Sequence, residues 1–208
     1  LALFEHNITP DLVVGTSVGA LNAAAVATNP TIEGVSDLAH LWRSLTSADI
    51  FPGGYLSRAW NIAKRDTFLV DNVGLARVIE RATSIREIED LQLPIRIVAC
   101  DLATGEEIVF CRGPLKNVLL ASAALPGVFP PIMLDGRMLV DGGVVDAVPI
   151  WHALSDDIDE IYVLNASGGG SLKNLRSPLD VMTRAFAISR NLRFDVELRN
   201  AAHDIDIH

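Results

Sequence analysis

Residues Val13 to Ala25, VVGTSVGALNAAA, join a short apolar run to an alanine-rich run through a serine that stands between two glycines. Leu12 to Val14 is wholly apolar and reads as a strand of a sheet covered on both faces. Ser17 to Thr28 reads as a helix built on small residues and stopped near Pro30. A Gly15-x-Ser17-x-Gly19 turn between strand and helix has the form of a nucleophile elbow. In such an elbow the serine stands at the tip of a tight turn in strained backbone geometry. Small neighbours let strand and helix approach, and the helix N-terminus puts its positive end beside the charge that develops in acyl transfer. The same five residues would also serve as a structural turn or as an anion-binding loop.

Outward from this turn, strands and helices alternate. Val35 to Leu45, Val73 to Ala82, Leu115 to Ala124, Ile150 to Leu154 and Pro178 to Val196 read as helices. Ile95 to Ala99, Glu107 to Phe110 and Glu160 to Leu164 read as strands. Asp135-Gly136 is a hairpin turn between Ile132–Leu134 and Met138–Val140. Asn7 suits the left-handed position that ends a helix. The pattern predicts an α/β fold, a single domain with a central, largely parallel sheet flanked by helices. The segment from Phe51 to Asp71 reads as a cap or surface stretch.

Composition narrows the function. The 208 residues are enough for one sizeable core, and half are apolar. A formal charge of -9 argues against a nucleic-acid partner and against strong attraction to anionic lipid. Cys100 and Cys111 form no metal-ligand pattern and read as reduced packing residues, which suits the cytoplasm. The uncharged stretches Leu12–Asn29 and Val118–Leu134 carry too many polar residues or prolines to span a bilayer. No signal peptide is visible, and the abrupt ends predict further residues before Leu1 and after His208 in the natural protein.

A serine hydroxyl needs a base. Of His6, His40, His152, His203 and His208, only His152 and His203 suit the order in which a histidine follows the serine. Asp141 is the better candidate, because it ends the apolar run Met138–Val140 and is followed by Gly142-Gly143. Its alternative is a solvated turn aspartate, the reading that Asp135-Gly136 invites. Asp101 reads as the cap of the Thr104-Gly105 turn, and Asp146 as satisfying backbone groups in the loop after Asp141.

Four blocks together resemble the patatin-like phospholipase family. They are Pro10 to Ala23 (PDLVVGTSVGALNA), Ala99 to Gly105 (ACDLATG), Ala121 to Pro131 (ASAALPGVFPP) and Val140 to Pro149 (VDGGVVDAVP). Their order is far more specific than the serine motif alone, and the resemblance covers nearly the whole chain, read as one patatin-like domain over 1–208. It implies a lipid acyl hydrolase with a Ser-Asp dyad: Ser17 as nucleophile and Asp141 as its base, with neither cofactor nor metal. It implies a lipid or phospholipid ester substrate and transient contact with a membrane surface from the cytoplasm. Val18 would offer a backbone donor, and Pro126, Phe129 and Gly142 would shape the wall beside the dyad. Trp42, Phe51, Tyr55, Trp60 and Phe68 could line an acyl-chain entrance. The family's glycine-rich oxyanion loop would lie before Leu1, so it either precedes this sequence or is lacking, and no residue here is assigned to it; Gly168-Gly169-Gly170 comes in the wrong order and reads as a flexible loop. That gap leaves open a non-catalytic binding or regulatory module on the same fold. A serine esterase assisted by His152 or His203 is the third reading.

Overall fold

The computed structural model describes residues 1–51, 68–154, 158–165 and scattered residues between 181 and 207. In chain order the elements are α1 (Ala2–Glu5), β1 (Val13–Thr16), α2 (Val18–Thr28), α3 (Ile32–Ser44), α4 (Ser47–Ile50), α5 (Val73–Ala82), β2 (Ile95–Asp101), β3 (Glu107–Phe110), α6 (Leu115–Ser122), β4 (Ile132–Leu134) and β5 (Arg137–Asp141). Short 3₁₀ turns follow at Gly142–Val144 and Ile150–His152. A separate parallel pair joins β6 (Glu160–Ile161) to β7 (Asp206–Ile207).

The α/β class holds, in one domain with a mixed sheet. Strand β2 is its axis. Its run Ile95 to Asp101 is buried at six of seven positions, as a strand covered on both faces must be. β1 pairs with it in parallel, Val13 opposite Ile95 through Thr16 opposite Val98. β3 and β5 pair with it antiparallel. Ile97 and Val98 bond both β1 and β3, while Ala99 and Cys100 bond both β3 and β5. β3 therefore occupies one edge of β2, and β1 and β5 share the other, running toward each other. β4 closes the antiparallel side through the Asp135-Gly136 turn, where both residues take positive φ (51° and 75°), as a two-residue hairpin with right-handed strands requires.

The helices cover the sheet with faces that their sequences dictate. α5 buries Gly74, Leu75, Val78 and Ile79, one stripe at helical spacing. α2 buries Ala20, Leu21, Ala23, Ala24, Ala25 and Ala27. Methyl-sized side chains let it lie close on the sheet, and its Leu21 joins Ile79, Ile97, Leu115 and Leu119 in the main core. Ile132, Leu134 and Leu139 pack with Ala99 and Ala121 in a smaller cluster beneath α6. Asn7 takes φ 59° after α1. Near Ile150 to Leu154 the helix is a single 3₁₀ turn, which suits a segment that starts at Pro149. The helix expected over 178–196 falls largely outside the described residues; Val181, Arg184, Ala185, Ala187, Ile188, Arg190, Phe194 and Leu198 are helical. Tyr55, Trp60, Gly168-Gly169-Gly170 and His203 lie outside the described residues. Cys100 is buried and Cys111 exposed, and both are free thiols.

Candidate active site

The register of the sheet brings Ser17 and Asp141 together. Thr16 ends β1 opposite Val98, and Asp141 ends β5 opposite Ala99, the next residue of the same edge. The two strands meet end to end, and each chain must then leave the plane. β1 turns at Ser17 into α2. β5 turns into the 3₁₀ turn at Gly142, where a Cβ would lie 2.3 Å from the Val98 carbonyl oxygen and 3.0 Å from Thr16 Cγ2. Only glycine fits that close approach, so Gly142 serves backbone packing.

Ser17 has φ 57° and ψ -126°, a region that non-glycine residues rarely enter and that costs about 1–3 kcal/mol. This is the strained tip that the glycine-flanked sequence predicts. The Ser17 hydroxyl donates to Asp141 Oδ2 at 2.6 Å. The other carboxylate oxygen, Oδ1, accepts the Gly143 N–H at 2.7 Å. Asp141 is 1% exposed, so it is no solvated turn residue. Burial pushes its carboxyl above the usual carboxylate range, while the Ser17 hydroxyl, the Gly143 N–H and the charge of Arg190 pull the other way.

The Val18 and Gly19 N–H groups are the first two of α2. Such groups have no partner inside a helix, and none is found for them among the described residues. Val18 is half exposed, so this helix end opens to solvent beside the serine. The Ser17 N–H points elsewhere, to Ser122 Oγ at 2.9 Å.

The other predicted residues spread around this pair. Pro126 is exposed and lines an apolar cavity of about 340 Å³ with Leu102, Gly127, Pro131, Met133 and Met138. Val140, the neighbour of Asp141 in the chain, lines it too. Phe129 is buried in the main core and stacks on Phe51 with ring centroids 5.5 Å apart. Trp42 gives its indole N–H to Asn22 Oδ1 at 2.7 Å, fastening α3 to α2. Asp101 caps its turn as expected, with Oδ1 accepting the Ala103 N–H at 2.9 Å.

His152 does not meet the serine: its Nε2 pairs with Glu107 Oε1, and its carbonyl accepts from Arg96. Asp146 is buried, and its N–H donates to the Gly142 carbonyl at 2.8 Å. Its carboxylate joins Glu107 and His152 in a group whose ligand-type atoms lie within 4.8 Å of one another, a spacing that could hold a cation. Residues far apart in sequence form this group, and no spacing motif signals it.

A serine at a strained strand-to-helix turn, hydrogen-bonded to a buried carboxylate, thus sits on a mixed sheet flanked by helices, an α/β fold. The chain belongs to the patatin-like phospholipase family, whose pattern matches residues 1–154. It is 34% identical over 113 residues to an uncharacterized NTE family protein of Mycobacterium tuberculosis, covering 50% of this chain and 31% of that one. It is 30% identical over 151 residues to the human patatin-like phospholipase domain-containing protein 6, covering 71% of this chain and 10% of that one. A rat relative, patatin-like phospholipase domain-containing protein 7, is 28% identical over 151 residues, which are 71% of this chain and 11% of that protein. The chain thus spans a third or less of the relatives it matches. Among the described residues no helix is long and apolar enough to cross a membrane.

Proposed function

We propose that the chain is a lipid acyl hydrolase that cleaves an ester through an acyl-enzyme on Ser17, with Asp141 as the sole base. The observation that carries this reading is the 2.6 Å hydrogen bond from the Ser17 hydroxyl to Asp141 Oδ2, with no imidazole between them. In the acylation step the Ser17 oxygen attacks the ester carbonyl while its proton passes to Asp141. The oxyanion forms beside the Val18 and Gly19 N–H groups at the positive end of α2. The alcohol, a lyso-lipid or similar group, leaves with the proton from Asp141. Water then gives a proton to Asp141 and attacks the acyl-enzyme, and Asp141 returns that proton to the departing Ser17 oxygen as the fatty acid is released.

Burial helps the base. A carboxylate with its ordinary pKa is a weak match for a serine, and desolvation makes Asp141 more basic. The Gly143 N–H fixes one oxygen so that the other faces the serine. The apolar cavity beside Val140, with Leu102 and Met133 about half exposed on its rim, suits an acyl chain and brief contact with a membrane surface. With a charge of -9, that contact rests on apolar burial rather than attraction to anionic headgroups. The two free thiols fit a cytoplasmic protein that visits the membrane from one side.

The test is covalent labelling of the full-length protein with a fluorophosphonate probe. Wild type is expected to label, and folded Ser17→Ala is expected not to. A folded wild-type protein that resists the probe would turn the reading toward a non-catalytic binding module on the same fold.

A further inference from the structure

Ser122 is the last residue of α6 and is fully buried. Its hydroxyl accepts the Ser17 N–H at 2.9 Å and donates to the Val98 carbonyl at 2.6 Å. Val98 is where β1 stops along the edge of β2, one residue before β5 begins. The hydroxyl is thus inserted at the end of the β1–β2 ladder, between the first N–H that has turned away and the carbonyl on β2. Two residues further on, the Ala124 carbonyl accepts the Asp141 N–H at 3.0 Å. One three-residue stretch therefore holds the backbone of Ser17 through a side chain and that of Asp141 through a carbonyl.

We infer that Ser122 is a positioning residue that holds Ser17 in its strained conformation, with its hydroxyl aimed at Asp141. The inference rests on the proposed Ser17–Asp141 chemistry. Its physical basis is that, among the described residues, nothing else is placed to accept the Ser17 N–H. A residue at φ 57° and ψ -126° stays there only while its surroundings over-determine it. The Ser17 N–H has left the strand ladder and precedes the helix, so neither element can accept it. Ser122 is 0% exposed, so solvent does not reach the hydroxyl that serves it. The Ser122 proton is committed to Val98, which turns an oxygen lone pair toward Ser17. Holding this N–H inward also leaves the Val18 and Gly19 N–H groups as the ones that open beside the serine.

The experiment compares wild type, Ser122→Ala and Ser122→Cys in the full-length protein. The readouts are amide exchange at Ser17, fluorophosphonate labelling rate, and kcat and KM on a soluble ester. In Ser122→Ala the Ser17 amide is expected to exchange at least about tenfold faster, since the hydroxyl that accepts it is gone. Labelling rate and kcat are expected to fall on the order of 10²-fold, the effect of a small displacement of a reacting group, with KM within about twofold. Ser122→Cys keeps a weaker donor and acceptor and is expected to fall between the two. Wild-type exchange and labelling in folded Ser122→Ala would overturn the inference. If Ser122→Ala does not fold, Ser122→Cys decides alone: an intermediate rate supports the role, and a wild-type rate overturns it. A wild-type protein that does not label at all would sink the hydrolase reading. Exchange at Ser17 would then still decide whether Ser122 holds the turn.

Discussion

Thr16 and Asp141 stand opposite successive residues, Val98 and Ala99, on one edge of β2. Two strands that run toward each other along that edge end at the same place, and the residue after Thr16 is the elbow serine. The separation of 124 residues between Ser17 and Asp141 is thereby closed by ordinary strand pairing. The pairing also explains the glycines around the junction: two chain ends cannot diverge from one point without a backbone atom passing where a side chain would stand.

Within the turn, Gly15 and Gly19 are not equivalent. A Cβ on Gly15 would lie 2.5 Å from the Gly19 carbonyl oxygen and 2.7 Å from the Ala20 nitrogen, both backbone atoms of the helix start. A Cβ on Gly19 would meet nothing within 4 Å. Gly15→Ala is expected to lose about 1–3 kcal/mol, as overpacking does. Gly19→Ala is expected to keep or raise the melting temperature, because alanine is the better helix former by up to about 1 kcal/mol. Thermal unfolding of the two variants checks the contrast; equal losses would contradict it.

The proposed carboxylate base predicts an asymmetry between Asp141 and His152. In the proposed mechanism Asp141 accepts the serine proton, so Asp141→Asn is expected to lower kcat by about 10²–10⁴-fold. His152 is occupied by Glu107, so His152→Asn is expected to leave kcat within about threefold. Steady-state hydrolysis of a short-chain ester distinguishes them, and a loss in His152→Asn as deep as that in Asp141→Asn would favour a histidine-assisted mechanism.

The buried carboxyl makes activity and stability respond to pH in opposite senses. Burial raises the pKa of Asp141 above 3.8, and the proposed mechanism uses it as the carboxylate. The acidic limb of kcat/KM is therefore expected above the ordinary aspartate value, rising as Asp141 ionises. For stability, a raised acid favours the fold fully only below its unfolded pKa, and that contribution is lost as pH rises through the folded pKa. Asp141→Asn does not ionise, so its melting temperature relative to wild type is expected to climb as pH increases across that window, then level off. Calorimetry from acid to neutral pH reads this directly; a wild-type advantage that grows with pH would contradict it.

Leu139 tests whether the small cluster beneath α6 supports the site. It is fully buried against Ala99 and Ala121, two residues before Asp141 on the same face of β5. Leu139→Ala is expected to cost about 2–5 kcal/mol, seen as a lower denaturant midpoint. A loss below about 1 kcal/mol would mean that the cluster adds little.

The local grammar of this chain was legible residue by residue. Glycines around Ser17 announced a turn that only small residues permit, and the structure places that serine at positive φ. Asp135-Gly136 announced its hairpin, Thr104-Gly105 its capped turn, and the periodicity of Val73 to Ala82 its helix, because each depends on neighbours in the chain. The family was legible too, in four ordered blocks. Asp141 was legible as a candidate base from the strand end and the glycines after it, but its pairing with Ser17 was implied only by the resemblance, since strand register is a long-range property that no local pattern encodes. Phe129 was ambiguous for a related reason: an aromatic side chain suits a core or a wall equally well, and only the structure shows it buried and stacked on Phe51. Ser122 gave no signal at all. A serine in an apolar run looks like filler until β2, α6 and the elbow converge on it, and only tertiary packing brings the Ser17 N–H and the Val98 carbonyl to one hydroxyl.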